Sequence, residues 1–234
     1  MVVHKFGGTS VADPVAIRRL IEIVRAARTR DGRGPAVVVS AMRGVTDGLL
    51  GVAASAGESK LEEALSRTQQ IRERHIAAAR ELVAGPAMET LHAQIDVQID
   101  ELTDIIKALS VLREVSPRTL DVVAAIGELL SSRIVAAALT CAGVPAEWID
   151  ARKAIVTNDE HTRATPLGKE TNERLRSNVR PVLDGGRVPV LGGFVGATVA
   201  GDTSTLGRGG SDYSGALVAP AWVLRGSRSG LTWM

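Results

Sequence analysis

Two short stretches at opposite ends of the sequence carry residues suited to holding anions. The first is Lys5-Phe6-Gly7-Gly8-Thr9-Ser10, where a short apolar run delivers a lysine and then two adjacent glycines. Glycine weakens a strand and is used where backbone must turn sharply or approach a ligand closely. The second is Thr205-Leu206-Gly207-Arg208-Gly209-Gly210-Ser211-Asp212, with arginine, serine and aspartate embedded among three glycines. A guanidinium can hold a carboxylate bidentately, and serine and backbone N–H groups can complete an oxyanion cradle. An aspartate in such company calls for something positive: a magnesium ion, a substrate ammonium, or a lysine to orient. The plainer alternative makes Asp212 a helix N-cap and leaves Arg208 solvated.

Two further apolar runs end in small residues, Ser40-Ala41-Met42-Arg43-Gly44 and Gly192-Gly193-Phe194-Val195-Gly196. In parallel α/β sheets ligands collect outside the carboxyl ends of strands, where such loops gather. Exposed backbone N–H groups and the positive N-terminus of a following helix favour anions there. Each glycine could instead serve only a tight turn, but the recurrence favours a phosphate or carboxylate site. The sequence holds no G-x-x-x-x-G-K-[ST], no G-x-G-x-x-G opening a helix after the first strand, no G-x-S-x-G and no Cys/His metal cluster. What remains is a site for anionic ligands outside the P-loop class.

The elements that must position these turns follow from periodicity. Val2–Phe6 reads as a strand, and Asp13-Pro14 as an N-cap followed by proline at the first helical position. Ile17, Leu20, Ile21 and Val24 then form one helical stripe. Ala36-Val37-Val38-Val39 is wholly apolar and mostly β-branched, as in strands buried on both faces of a parallel sheet. From Gly57 to Ser116 the spacing predicts two long helices broken at Gly85-Pro86, a helical hairpin inserted in the α/β pattern. His75 and His92 within it read as packing or surface residues. After Pro117 the alternation resumes, with helices over Leu120–Leu139 and Lys169–Leu183 and strands at Trp148-Ile149 and Val188–Leu191.

The 234 residues, 45% hydrophobic and 23% charged, suit a folded domain with a sizeable core. A net charge of +2 and six aromatic residues argue against a nucleic-acid surface. One cysteine, Cys141, excludes an internal disulfide framework and suits a reducing compartment. No apolar stretch is read as approaching the roughly 18 residues of a membrane span, and no export signal is read in the first residues. The expectation is a cytoplasmic protein.

These segments resemble a known family. KFGGTSV at 5–11 and LGRGGSDY at 206–213 are similar to the two hallmark segments of the aspartate kinases, within the amino-acid-kinase superfamily. The likeness extends to SAMRGVTD at 40–47, IGELLSSRI at 126–134, WIDARKAIVTND at 148–159 and GGFVGAT at 192–198, and the helical insertion looks closest to the lysine-sensitive type. The resemblance implies an α/β fold, a three-layer α/β/α sandwich around a mainly parallel central sheet. Residues 1–218 would form the catalytic domain, with the helical insertion at 57–116. The implied reaction is ATP-dependent phosphorylation of the β-carboxylate of L-aspartate to 4-phospho-L-aspartate, the first step towards lysine, threonine and methionine, with Mg2+ carried on the nucleotide. Lys5 would neutralise charge on the transferring phosphoryl group, and Gly7, Gly8, Thr9, Ser10, Gly209 and Gly210 would face phosphate. Thr46 and Glu128 would contact aspartate, Glu128 through its ammonium. Arg208 would grip a substrate carboxylate, Ser211 would assist, and Asp212 would orient Lys5 or the metal. No protein nucleophile is required, because the substrate carboxylate attacks in line. The implied partners are small molecules, with no nucleic acid and no membrane, and an intact full-length protein would be a homo-oligomer. The competing readings are a fragment that binds aspartate but not ATP, and another amino-acid kinase, acting for example on glutamate or carbamate.

Beyond GRGGSDY the sequence departs from the family, which continues with a small-residue helix, a strand ending near W-T-D-V-D-G, and then paired regulatory ACT domains. Here Pro220 falls inside the expected helix and Arg225-Gly226-Ser227-Arg228-Ser229-Gly230 in the expected strand. The expectation is a frameshift near Val218. With suitable codons for Ala219–Met234, a neighbouring frame reads AGLGAARIQIWIDVDG, which restores both elements. Residues 219–234 would then be an aberrant tail, regulatory domains would be absent, and the isolated chain would have little or no kinase activity.

Overall fold

A computed structural model describes residues 2–207 and 209–219. Arg208 and the tail from Pro220 onward, including the expected frameshifted stretch, lie outside the described residues. Strand β1 (Val3–Phe6) leads into helix α1 (Pro14–Asp31) as the sequence predicts. Asp13 is extended at the N-cap, and its Oδ1 accepts from the Ala16 amide at 2.8 Å, a cap contributing about 1 kcal/mol. The four predicted stripe residues of α1 are all buried. Strand β2 (Ala36–Val39) follows and pairs in parallel with β1, Val3 opposite Ala36 and Phe6 opposite Val39.

A run of four helices comes next: α2 (Val45–Gly57), α3 (Leu61–Leu82), α4 (Pro86–Leu112) and α5 (Pro117–Cys141). The predicted hairpin is α3 and α4, joined at Gly85-Pro86. It packs with α2 and α5 in one apolar cluster that also takes in α1. Helix α5 corrects one expectation. It contains an 18-residue window of mean hydropathy 1.8, long and apolar enough to cross a membrane, yet 83% of that window is buried inside the protein. It is the central core helix.

The chain continues through β3 (Ala146–Ile149), β4 (Val156–Thr157), α6 (Gly168–Asn178), α7 (Arg180–Asp184), β5 (Val188–Gly192), β6 (Val195–Thr198), β7 (Thr203–Thr205) and α8 (Gly210–Val218). The single helix expected over Lys169–Leu183 is two, because Pro181 opens a new helical start at α7. Strands β1, β2, β5 and β3 form an all-parallel sheet in that order. Side chains of β2 alternate between the two faces. Val37 and Val39 enter the cluster built with α1 to α5, whereas Ala36 and Val38 meet Leu175, Val179, Val182 and Val218 of the α6–α8 side. Helices thus cover both faces of a parallel sheet, the three-layer α/β/α sandwich that the resemblance implies.

A smaller sheet, β4-β6-β7, mixes a parallel and an antiparallel pair and was not foreseen. It corrects the reading of Gly192–Gly196 as one glycine loop: Gly192 closes β5, and Gly196 lies inside β6, paired with Ser204. A Cβ on Gly196 would come within 2.9 Å of the Ile155 carbonyl oxygen, so this glycine serves close packing of the strand.

Candidate active site

The parallel strands β1, β2 and β5 end on the same edge of the main sheet, and the loops that follow them surround a cavity of about 540 Å³. Two helices start there. Gly44 precedes α2 with φ 78°, and Gly209 precedes α8 with φ 75°, left-handed conformations that glycine adopts without strain. Their first turns, through Thr46 and Asp47 on α2 and Gly210, Ser211 and Asp212 on α8, line the cavity. Each brings the partial positive charge and free N–H groups of a helix N-terminus to the same space.

Lys5, near the end of β1, reaches Asp212 across the cavity mouth, with Nζ 2.6 Å from Oδ1. The lysine side chain is only 18% exposed and the aspartate 60%. Asp212 is not the N-cap of α8, a position held by Gly209. Close approach makes the meeting possible. A Cβ on Gly193 would stand 2.9 Å from the Cα of Ser211, so the end of β5 can lie directly against the start of α8.

Glu128 joins the lining from the middle of α5. It is 3% exposed, and its Oε2 has no hydrogen-bond partner. Burial pushes its carboxyl up to about 8, against the opposing pull of the Ala41 backbone amide. The free site therefore holds a neutral carboxylic acid at pH 7. Two glycines let α5 approach closely enough. A Cβ on Gly127 would lie 2.8 Å from that of Ala41, and one on Gly192 3.0 Å from that of Glu128. Ser131 Oγ donates to the Ser40 carbonyl at 2.8 Å and fixes the β2 end against α5. From the hairpin, Arg74 donates to the carbonyls of Arg43 at 2.8 Å and Ala12 at 3.1 Å, tying two of the site loops to α3.

Of the residues expected from sequence, Lys5, Gly8, Thr9, Thr46, Glu128, Gly209, Gly210, Ser211 and Asp212 all line this one cavity. Gly7 and Ser10 do not, and the Ser10 amide is used by the Gly7 carbonyl in a turn. Arg208 lies outside the described residues between two that line the cavity, Gly207 and Gly209. Ser40, Arg43, Asp47 and Phe194 were not singled out as site residues, although Ser40, Arg43 and Phe194 sit in glycine-bearing turns that were. The histidines stand apart: His75 is a buried core residue bonded to the Ile71 carbonyl, and His92 lies beside Arg72 and Asp96 on the hairpin. Among the described residues no group of three or more His, Cys, Asp or Glu is placed to hold a metal ion.

Residues 1–223 match the amino acid kinase family. The chain belongs to that family. Its relatives within it include aspartokinases. It is 34% identical over 221 residues to lysine-sensitive aspartokinase 3 of Escherichia coli K12, a match covering 94% of this chain and 46% of the relative. It is 32% identical to the chloroplastic aspartokinase 1 of Arabidopsis thaliana, covering 95% of this chain and 38% of that one. Among solved structures, E. coli aspartokinase III in complex with aspartate and ADP superposes with a TM-score of 0.83 at 33% identity, covering 94% of this chain and 46% of that one. The chain thus spans less than half the length of each of these amino acid kinases.

Proposed function

We propose that this chain is the catalytic part of an aspartate kinase, transferring the γ-phosphoryl group of ATP to the β-carboxylate of L-aspartate. One observation carries the reading: a single cavity gathers Lys5, two helix N-termini and the buried, unpartnered carboxyl of Glu128. Polyanionic phosphate suits the lysine and the helix ends, and an ammonium suits Glu128. In this mechanism Lys5 offsets charge on the transferring group while Asp212 holds the lysine in place. Gly8, Thr9 and Gly209 bring backbone N–H groups to phosphate oxygens, whereas the Gly210 amide already donates to the Gly207 carbonyl at 3.0 Å. Thr46, Ser211 and Arg208 orient the amino-acid substrate, whose own carboxylate is the nucleophile, so catalysis is positioning and charge stabilisation. Mg2+ would be carried on the nucleotide phosphates, where Asp47 and Asp212 of the cavity lining would help to hold it and it would offset further phosphate charge. Residues 1–218 constitute the catalytic domain, with 57–116 as its helical insertion, in a cytoplasmic protein that assembles as a homo-oligomer when full-length.

The test is to incubate the purified chain with ATP, Mg2+ and L-aspartate and trap the acyl phosphate with hydroxylamine. Hydroxamate that requires L-aspartate and does not form with L-glutamate or carbamate supports the reading; formation with glutamate instead refutes the substrate. The sequence from Pro220 onward departs from the family where nucleotide contacts are expected, which favours a second reading, a chain that binds L-aspartate without turning it over. Separate calorimetric titrations with L-aspartate and with ATP distinguish the two.

A further inference from the structure

Asp121 stands near the start of α5, two helical turns before Glu128, and is 1% exposed. Its carboxylate collects donors from two other segments. Oδ1 and Oδ2 accept from the Thr162 amide at 3.0 and 3.1 Å, Oδ2 lies 2.7 Å from His161 Nδ1, and Oδ1 accepts a short bond from Thr205 Oγ1. Thr162 has φ 70°, a left-handed conformation that a β-branched residue rarely adopts, so its backbone is held there by these contacts. The Ala164 amide donates to the Thr205 carbonyl at 2.8 Å, and a Cβ on Gly207 would meet the Thr162 carbonyl at 3.2 Å. The 158–166 loop, the end of β7 and Gly207 thus form one unit centred on Asp121. Gly207, Gly209, Gly210 and Ser211 line the same cavity as Glu128.

We infer that Asp121 is a positioning residue for the substrate site: it clamps the β7–α8 turn to the same helix that carries Glu128 and so fixes the width of the cavity. It touches no substrate. A carboxylate suits this task because its two oxygens can accept several bonds at once, and burial keeps water from replacing them. The inference about substrate rests on the aspartate kinase reading; the mechanical part does not.

The experiment uses the whole chain with Asp121→Asn, Thr205→Val and Thr205→Ser. Hydrogen exchange is followed in peptides spanning 203–215, with 36–44 as the internal reference. L-aspartate affinity is measured by calorimetry well below each variant's unfolding temperature. Asp121→Asn and Thr205→Val should speed exchange in 203–215 about tenfold with the reference unchanged. They should also weaken L-aspartate binding about tenfold, equivalent to about 1.4 kcal/mol. Thr205→Ser keeps the hydroxyl and should match the parent chain. Unchanged exchange in 203–215 overturns the clamp. A lowered unfolding temperature with unaltered affinity also overturns it, by making Asp121 a stability residue only. If the parent chain binds no L-aspartate, the proposed function fails, and the exchange arm still decides the clamp. Thr205→Val removes a single donor and keeps the test open should Asp121→Asn not fold.

Discussion

Glu128 makes a prediction whose size follows from its surroundings. Its carboxyl titrates near 4.5 when the chain is unfolded and at about 8 in the folded protein, because burial opposes the charge. Between those values the folded state holds a proton that the unfolded state has released. Stability must therefore fall as pH rises from 4.5 to 8. The gap of about 3.5 pH units, at about 1.4 kcal/mol per unit, amounts to about 5 kcal/mol above pH 8. Glu128→Gln keeps the shape and hydrogen-bonding capacity but cannot ionise, so it should escape this loss. Urea unfolding at intervals from pH 4.5 to 8.5, compared between variant and parent, isolates the effect, since other titrating groups cancel in the difference. The variant should match the parent near pH 4.5 and gain steadily to about 5 kcal/mol. The same variant should lose L-aspartate affinity, because an ammonium restores the charged form that the free site refuses. Binding by the parent chain at pH 7 should accordingly release close to one proton, seen as a buffer-dependent enthalpy. A flat difference curve, or one of opposite slope, would refute the reasoning.

Lys5→Ala should lower phosphoryl transfer at least ~100-fold with little change in unfolding temperature, since charge stabilisation of the transferring group is lost; steady-state kinetics beside thermal melts checks both. His75 is buried and neutral, its imidazole pushed down to about 4 by burial. The unfolded chain takes up a proton from about pH 6.5 downwards and the folded one does not. Stability should thus fall between pH 6.5 and 4 by about 3 kcal/mol, and His75→Leu should remove that slope in acid unfolding curves. Gly127→Ala places a Cβ 2.8 Å from Ala41 and 3.2 Å from Val45. The cost should be about 1–3 kcal/mol, with weaker L-aspartate binding as the loop before α2 is displaced, measurable by denaturant titration and calorimetry.

How much of this was legible beforehand depends on how local each signal is. The βαβ opening could be read because β2 is apolar at every position and Asp13-Pro14 marks a helix start in the chain itself. Helix α2 could not. Its first two turns, Val45-Thr46-Asp47-Gly48-Leu49-Leu50-Gly51, carry two glycines and little helical propensity. It is held by packing instead, and a Cβ on Gly51 would strike Arg67 of α3 at 2.9 Å. The short strands β4, β6 and β7 were equally hidden: each has two to four mostly small or hydroxylated residues, β4 pairs with the distant β6, and β6 pairs with β7 across the 199–202 turn without an alternating apolar pattern. Tertiary contact, rather than propensity, makes them strands.

The site shows the same division. Lys5 with its glycines and the 205–212 turn each announce an anion site from composition, yet neither says that the two meet. That meeting follows from topology: β1 enters the sheet in parallel with β2 and β5, and α8 packs against β1, where a Cβ on Gly215 would lie 3.4 Å from that of Lys5. Glu128 was reached through family likeness, although a physical signal was present. It is the one carboxylate between Val123 and Leu130 of α5, a stretch buried at every position, with Gly127 pressed against Ala41. A charged group there must either find a partner or give up its charge. No partner exists for Oε2 within the described residues. On the proposed reading, phosphate is drawn to the lysine and the two helix ends, and a substrate ammonium gives the Glu128 carboxyl the partner it lacks.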